Sequence, residues 1–367
     1  MWSYTDIFGN WTAPMVRMPA AMMDICHKNG VVTSTLASVP WAAYISADQI
    51  PHGANFKAMI DGGADKFLKY LRYYGIDGIG FNSEFTFSGN VSGKNFATAM
   101  KEFLSNCFKK KDQYDMSNFH NCWYSLMTNG GECGGSLALN GGNSDWFHYN
   151  GAPTSNAYFM NYGFTTNYLN TSRNTAQGFG RSSYDVYAGV DYQGSSSAYW
   201  PDLVNAPISV GIWGAHNMNM IYECRGELGA SPEQMQKTYQ LISENVFSGS
   251  NFNPVNRPAI NYKHYHSAKT PDSWGFASFI TARSTLTPQD GGNLATDPFV
   301  TYFNLGNGAF FNFEGERTFN QEWYNIGMQD YLPTWRWWWT KTFMGKTASS
   351  ASTDMTAEFT WEDAWFG

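Results

Sequence analysis

Apolar and polar residues alternate along this chain with two different periods, and the change of period marks out its elements. From Ala64 to Tyr73, Phe67, Leu68 and Leu71 fall on one side while Lys66, Lys69 and Arg72 fall on the other, which predicts a helix. Gly75 can close that helix, and Ile76 to Phe85 then reads as a strand. Strand side chains point to alternate faces. Ile79, Phe81 and Ser83 would share one face, and Gly78, Gly80, Asn82 and Glu84 the other. The first face is apolar enough to pack beneath helices. The second is emptied by two glycines and ends in an amide and a carboxylate side by side, which suits the floor of a substrate site better than a core.

The same switching of period continues through the chain. It predicts strands at Trp2–Phe8, Val31–Leu36, Phe119–Tyr124, Ala157–Tyr162, Asp185–Asp191 and Ile208–Trp213. Helices are predicted at Met15–Lys28, stopped by Asn29-Gly30, and at Lys94–Lys109, Asn170–Gly178 and Ser231–Phe247. Met127 to Tyr149 is rich in Gly and Asn and reads as loop. Beyond Ser248 loops dominate until the apolar strand Phe299–Asn304. Strands and helices alternating at steps of roughly 30–40 residues call for a parallel sheet, and seven strands of this kind point to an α/β fold, a TIM-type (β/α)8 barrel. Only seven are found and the first has no predecessor, so the expected barrel lacks its first strand in this chain.

Composition narrows the partners. The net charge is −7 with 14% charged residues, and no basic run exceeds Lys109-Lys110-Lys111, which argues against nucleic acid. The 15 Trp and 22 Tyr favour carbohydrate, because their flat faces stack on sugar C–H patches while polar tips reach hydroxyls. Cys26, Cys107, Cys122, Cys133 and Cys224 are odd in number and show no CxxC spacing, so free thiols are expected rather than a zinc site or a disulfide framework. His264-Tyr-His266 has ligand-like spacing but no companions, and no metal or other cofactor is called for. No apolar run is long enough to span a membrane, and Met1 leads directly into Trp-Ser-Tyr-Thr-Asp-Ile-Phe without the layout of a signal peptide. The low charge with many Asn, Gly and Tyr nevertheless suits a secreted or cell-surface setting, with the cytoplasm as the alternative.

The spacing Asp77-Gly78-x-Gly80-x-Asn82-x-Glu84 resembles the Asp-Gly-x-Asp-x-Asp-x-Glu strand of family 18 chitinases, with Asn82 in the steering position and Gly80 in place of an acid. An Asn-x-Glu pair there resembles glycoside hydrolase family 85, the endo-β-N-acetylglucosaminidases. Further segments resemble that family in order: Trp2-x-Tyr-Thr-Asp6, His27-Lys-Asn-Gly-Val31, Trp123-Tyr124, Asp185-Val-Tyr-Ala-Gly-Val-Asp191, Phe299-Val-Thr-Tyr-Phe-Asn304, Leu332-Pro-Thr-Trp-Arg-Trp337 and Phe359-Thr-Trp-Glu-Asp-Ala364. The likeness is weak between about 126 and 156 and between 248 and 290. Family members carry a strand before the Trp2 segment and β-sandwich domains after the Phe359 segment. The resemblance therefore implies a catalytic barrel with a long connection over residues 1–345 and the start of a C-terminal β-sandwich over 346–367.

The resemblance also implies a reaction. A retaining endo-β-N-acetylglucosaminidase cuts the GlcNAc-β-1,4-GlcNAc core of N-glycans by substrate-assisted catalysis, and the substrate's acetamido oxygen forms an oxazoline intermediate. Transfer to acceptors other than water is a further outcome. Glu84 would serve as acid and then base, which asks for a carboxyl raised toward neutrality. Asn82 would steer the acetamide, and Tyr124 would bond near both. The family often follows that Tyr with Asp, where this chain has Ser125. Asp191 could bind sugar hydroxyls; Trp11, Trp146, Asn161, Tyr162, Phe164 and Trp213 follow strand ends, where they could line the sugar. Gly163 stands where relatives tend to carry Trp. Cys122 beside the site is expected to be inert. The implied partners are N-glycans or glycoproteins. Two other readings fit the residues: a barrel that binds carbohydrate without cleaving it, and a chitinase-like hydrolase of GlcNAc polymers.

Overall fold

The computed structural model describes residues 4–10, 18–38, 43–48, 52–191, 203, 205–213, 307–313, 316–325, 342–343 and 346–347. Seven strands make one parallel sheet in sequential order: β1 (Ile7–Asn10), β2 (Val32–Ser38), β3 (Gly78–Asn82), β4 (His120–Tyr124), β5 (Ala157–Met160), β6 (Val186–Asp191) and β7 (Ser209–Trp213). Four helices lie between them: α1 (Ala20–Lys28), α2 (His52–Tyr74), α3 (Phe96–Lys110) and α4 (Thr166–Gly178). The result is an α/β fold with a curled, seven-stranded parallel half-barrel. The chain divides into two compact units, one of Ile7–Met23 with Val32–Tyr222, the other of Met1–Asp6, Asp24–Val31 and Glu223–Gly367. The sheet belongs to the first. Within the second, Phe311–Phe313 pairs with Glu316–Phe319 and Asn307–Gly308 with Trp323–Tyr324, and the Trp323 indole N–H donates to Phe310 O at 2.9 Å.

Helix ends follow the glycines. Gly30, Gly75 and Gly180 all take positive φ, and each sets up the paired 6→1 and 5→2 hydrogen bonds that close a helix, such as Ile76 N–H to Leu71 O and Gly75 N–H to Arg72 O. The predicted start at Ala64 coincides with a real break. Gly63 (φ 75°, ψ 167°) interrupts α2, and another helical segment, from His52, precedes it. α1 begins only at Ala20, after Pro19, rather than at Met15. β1 is shorter than the predicted Trp2–Phe8 strand and lies further along, because its register starts at Ile7↔Val32, where β2 itself starts.

Both faces of the sheet are filled. On the outer face Ile79, Phe81 and Trp123 are buried, with Phe56 of α2 against Phe81 at 5.9 Å between ring centres. On the inner face the glycines make room for neighbours rather than for a substrate. A Cβ on Gly78 would fall 2.5 Å from the His120 ring, and one on Gly80 would fall 2.8 Å from Leu36 Cδ1. Gly189 and Gly211 likewise leave space for the Phe159 ring. The expected glycine floor is therefore packed at these positions.

The Gly/Asn-rich stretch between β4 and β5 is mostly loop, as its composition predicts, with a 3-10 turn at Ser144–Trp146 and a short antiparallel pairing of His148–Tyr149 with Ala152–Pro153, and side-chain amides order much of the rest. Asn143, fully buried, accepts from Asn140 N–H and donates to Ala138 O and Ser136 O. Asn129 accepts from Asp145 N–H and donates to Gly141 O. The Lys101 ammonium of α3, 5% exposed as a residue, reaches into the stretch to Asp145 (2.8 Å) and Asn129 O (2.8 Å), over the Tyr149 ring. The predicted helix Ser231–Phe247 and strand Phe299–Asn304 lie outside the described residues, as do most of the long connection and most of the expected sandwich segment.

Candidate active site

At the end of β3 the chain does something that strict alternation does not foresee. The strand stops at Asn82, and Glu84 N–H bonds back to Asn82 O at 2.9 Å in a three-residue turn. A second strand, Phe85–Ser88, starts immediately and pairs in parallel with Ala43–Ser46. Asn82 and Glu84 still meet: Asn82 Nδ2 donates to Glu84 Oε2 at 2.9 Å, and both side chains are half-buried. With its N–H engaged in this way, the Asn82 amide turns its carbonyl oxygen to the other side as an acceptor.

Neighbouring strand ends are stitched to this pair. Ser83, between the two, is buried, and its hydroxyl donates to Tyr124 O at the end of β4. Ser125, also fully buried, donates its N–H to Phe159 O and its hydroxyl to Leu137 O (3.4 Å), while that hydroxyl accepts from Asn161 N–H at 3.0 Å. Ser125 thus fixes β4 against the chain leaving β5. Ser83 and Ser125 are positioning residues that the periodicity could not single out. Their only signal is a small hydroxyl on either side of chemistry-bearing residues.

The structure brings together some of the other expected residues and separates others. Tyr124 is 8% exposed and ends β4, with the Tyr162 ring 6.1 Å away, centre to centre. Asn161 and Tyr162 follow β5 and are half-buried. Asp191 and Trp213 close β6 and β7 in mutual register. Trp146 lies elsewhere. It is fully buried, stacked flat on Trp123 (4.1 Å, 2°), with its indole N–H on Thr128 O, so it seals the β4–β5 excursion onto the outer face and offers no surface to a sugar. Phe164 is likewise core, at 1% exposure. Trp11 lies outside the described residues.

Titration on the inner face follows burial. Desolvation pushes the Cys122 thiol up to about 12, which leaves no thiolate at neutral pH. His120, beneath Gly78, is pushed down to about 4 by burial, against the opposing pull of Asp77 and of the Asn118 backbone. Asp77 itself accepts from Thr33 N–H (2.8 Å) and Thr33 Oγ1 (2.9 Å), so this acid ties β3 to β2 at their amino ends. Among the described residues no cluster of His, Cys, Asp or Glu could hold a metal ion, and no helix is long and apolar enough to cross a membrane. His264 and His266 are not among them.

A parallel α/β sheet with amide, carboxyl and phenol groups gathered at the carboxyl ends of adjacent strands is the architecture of a barrel-type enzyme. Residues 1–311 match the family described as Glycosyl hydrolase family 85. The chain belongs to that family of endo-β-N-acetylglucosaminidases. In structure it is similar to the glycoside hydrolase domain of Endo-D from Streptococcus pneumoniae R6, with a TM-score of 0.62 and 22% identity over 89% of this chain and 48% of that one. It spans about half the length of that relative. A family 18 chitinase from Crocus vernus shares much less, with a TM-score of 0.35 and 9% identity over 64% of this chain and 92% of that one. No curated protein matches the sequence.

Proposed function

We propose that this chain is a retaining endo-β-N-acetylglucosaminidase that hydrolyses the β-1,4 bond between the two core GlcNAc units of N-glycans. One observation carries the reading: the 2.9 Å hydrogen bond from Asn82 Nδ2 to Glu84 Oε2, at the carboxyl end of an inner strand. A single carboxyl paired with an amide, rather than with a second carboxyl, suits a reaction in which the substrate supplies its own nucleophile.

In this mechanism the Asn82 carbonyl accepts the acetamide N–H of the sugar under attack and holds its oxygen beneath the anomeric carbon. As that oxygen bonds to C1, the glycosidic C–O bond breaks, and Glu84 delivers its proton to the departing oxygen. The acetamide keeps its N–H, held by the Asn82 carbonyl, so the cyclic intermediate is an oxazolinium ion facing the Glu84 carboxylate. Water enters, Glu84 takes one of its protons, the remaining hydroxide bonds to C1, and the C1–O bond of the ring breaks to restore the neutral acetamide with Glu84 again protonated. Two inversions give net retention. Tyr124 lies alongside, where its phenol can bond the acetamide oxygen and orient the attack. Asn161, Tyr162, Asp191 and Trp213 offer polar and stacking contacts to the flanking sugars.

Mass spectrometry of a high-mannose glycoprotein, before and after incubation, tests the reading. Release of glycan with one GlcNAc left on asparagine is expected. Glu84→Gln should cut kcat by about 10³-fold or more while binding persists, since it removes the proton donor and keeps the shape. Binding without release by the unaltered chain would leave only a carbohydrate-binding barrel. Faster cleavage of chitin oligomers than of N-glycans would point to the chitinase-like alternative.

A further inference from the structure

The helix layer flanking β3 holds a cavity that the reaction above does not use. On α2, Ile60, Gly63 and Ala64 fall on one side at helical spacing, and on α3 Ala99, Glu102, Phe103 and Asn106 do the same. The two faces meet at Phe67 and Phe103, with ring centres 5.4 Å apart. One turn earlier they carry Gly63, Ala64 and Ala99, and these small residues leave a space of about 180 Å3. Gly63 is not small to admit a neighbour. A Cβ there would meet nothing within 4 Å, and its φ of 75° with ψ of 167° is open essentially to glycine alone. Asn90–Val91, paired antiparallel with Lys94–Asn95, borders the space, and buried Val91 completes its apolar wall.

The rim is polar and its charges are matched. The Lys94 ammonium pairs with the Glu102 carboxylate. The Ser92 hydroxyl donates to Asp61 at 2.8 Å, and Asp61 is itself paired with Lys57. Asn106 is exposed on the same rim, and its side-chain amide has no partner among the described residues. Such a rim disfavours ions of either sign, since an anion meets Glu102 and Asp61 and a cation meets Lys94 and Lys57. Its ammonium, amide and carboxylate keep donors and acceptors for an uncharged ligand. Apolar walls with a few polar groups at the mouth favour a molecule with one C–H face and a hydroxyl edge. Size narrows the choice: a hole of about 150 Å3 takes benzene, so this one takes a single six-membered ring.

We infer that this cavity is a second sugar site, which takes one uncharged pyranose at the end of a glycan branch and has no part in bond cleavage. A branched glycan held there by a terminal sugar keeps its remaining branches at high effective concentration near the chain. The assignment does not depend on the roles proposed for Asn82 and Glu84, because neither side chain lines the space.

Methyl NMR of the alanine-labelled chain, titrated with methyl α-mannopyranoside and with methyl β-N-acetylglucosaminide, tests it. The Ala64 and Ala99 methyls line the cavity and report on it directly. Saturable shifts of both are expected with at least one of these sugars, at a Kd of about 1 mM, the scale for a ligand of about a dozen heavy atoms. Lys94→Ala/Asn106→Ala, at two exposed positions, should weaken binding about tenfold, the scale of two lost hydrogen bonds. Ala99→Leu, which fills the space, should abolish the Ala64 shift, and the methyl glycoside of glucuronic acid should bind at least about fivefold more weakly than the neutral sugar. No shift of either methyl at ten times the expected Kd, unchanged affinity in the rim variant, or equal binding of the glucuronide would overturn the assignment. Shifts without glycan release by the unaltered chain would keep this site and remove the catalytic reading alone. Release without shifts would do the reverse.

Discussion

The Asn82 amide can do one of its two jobs only by giving up freedom in the other. Its N–H is engaged with Glu84, which leaves the carbonyl oxygen for the substrate. Asn82→Ala should therefore abolish cleavage of intact glycan while sparing reaction of a preformed oxazoline, because only formation of the intermediate needs the steering acceptor. Parallel single-turnover assays check this, and equal loss of both reactions would remove Asn82 from that role. Ser125 acts at one remove. Ser125→Ala leaves the part-buried Asn161 N–H without its acceptor, and a loss of about 1 kcal/mol of stability is expected in denaturant titration. Asn82 and Glu84 were legible because their types and spacing carry chemistry. Ser83 and Ser125 were not, because a buried hydroxyl is defined by what it touches. Trp146 is similar: its place after a strand end made it a candidate sugar contact, but only long-range packing shows it stacked on Trp123.

Helices and strands were easiest to read where glycine or polar punctuation ended them. Gly75 closes α2 at φ 70°, and Gly75→Ala is expected to cost about 1 kcal/mol, read as a lower unfolding midpoint. The turn after α3 does the same work with Asp115 at φ 54°, its N–H on Lys111 O, so Asp115→Gly should gain about 0.5–1 kcal/mol. Failure of that variant to raise the melting temperature would mean that the Asp side chain supplies what the backbone loses. What alternation could not foresee was the end of β3. A period of two carries straight through Ile76–Phe85, whereas the chain turns at Ser83 and begins another strand in a different sheet. Gly78 and Gly80 read as a floor emptied for substrate, whereas the room they leave is taken by His120 and Leu36. A Cβ at Gly189 would lie 2.3 Å from Met160 O, so Gly189→Ala should destabilise by about 1–3 kcal/mol.

For the molecule as a whole, one buried group ties stability to acidity. Folded His120 titrates near 4, whereas in an unfolded chain it would titrate near 6.5. Between those values only the unfolded chain takes up the proton. Stability should thus be fully present above about pH 6.5 and fall as the pH drops toward 4, by up to about 3 kcal/mol from this residue. Guanidinium unfolding from pH 4.5 to 7.5 should show that slope, and His120→Asn should flatten it. Seven strands were countable in the sequence, and seven form the sheet. Their curl and order were inferred from alternation with helices, but which inner residues stay open was set by long-range packing that no local pattern encodes.

Lys101 has a consequence for timing. Its ammonium is held between Asp145, the Asn129 carbonyl and the Tyr149 ring, so the β4–β5 excursion cannot lift away without dragging a charge out of a dry setting or leaving it there alone. That stretch, although mostly loop, should exchange its amide protons at rates set by the opening of α3, and a Lys101→Met chain should let the two regions breathe independently.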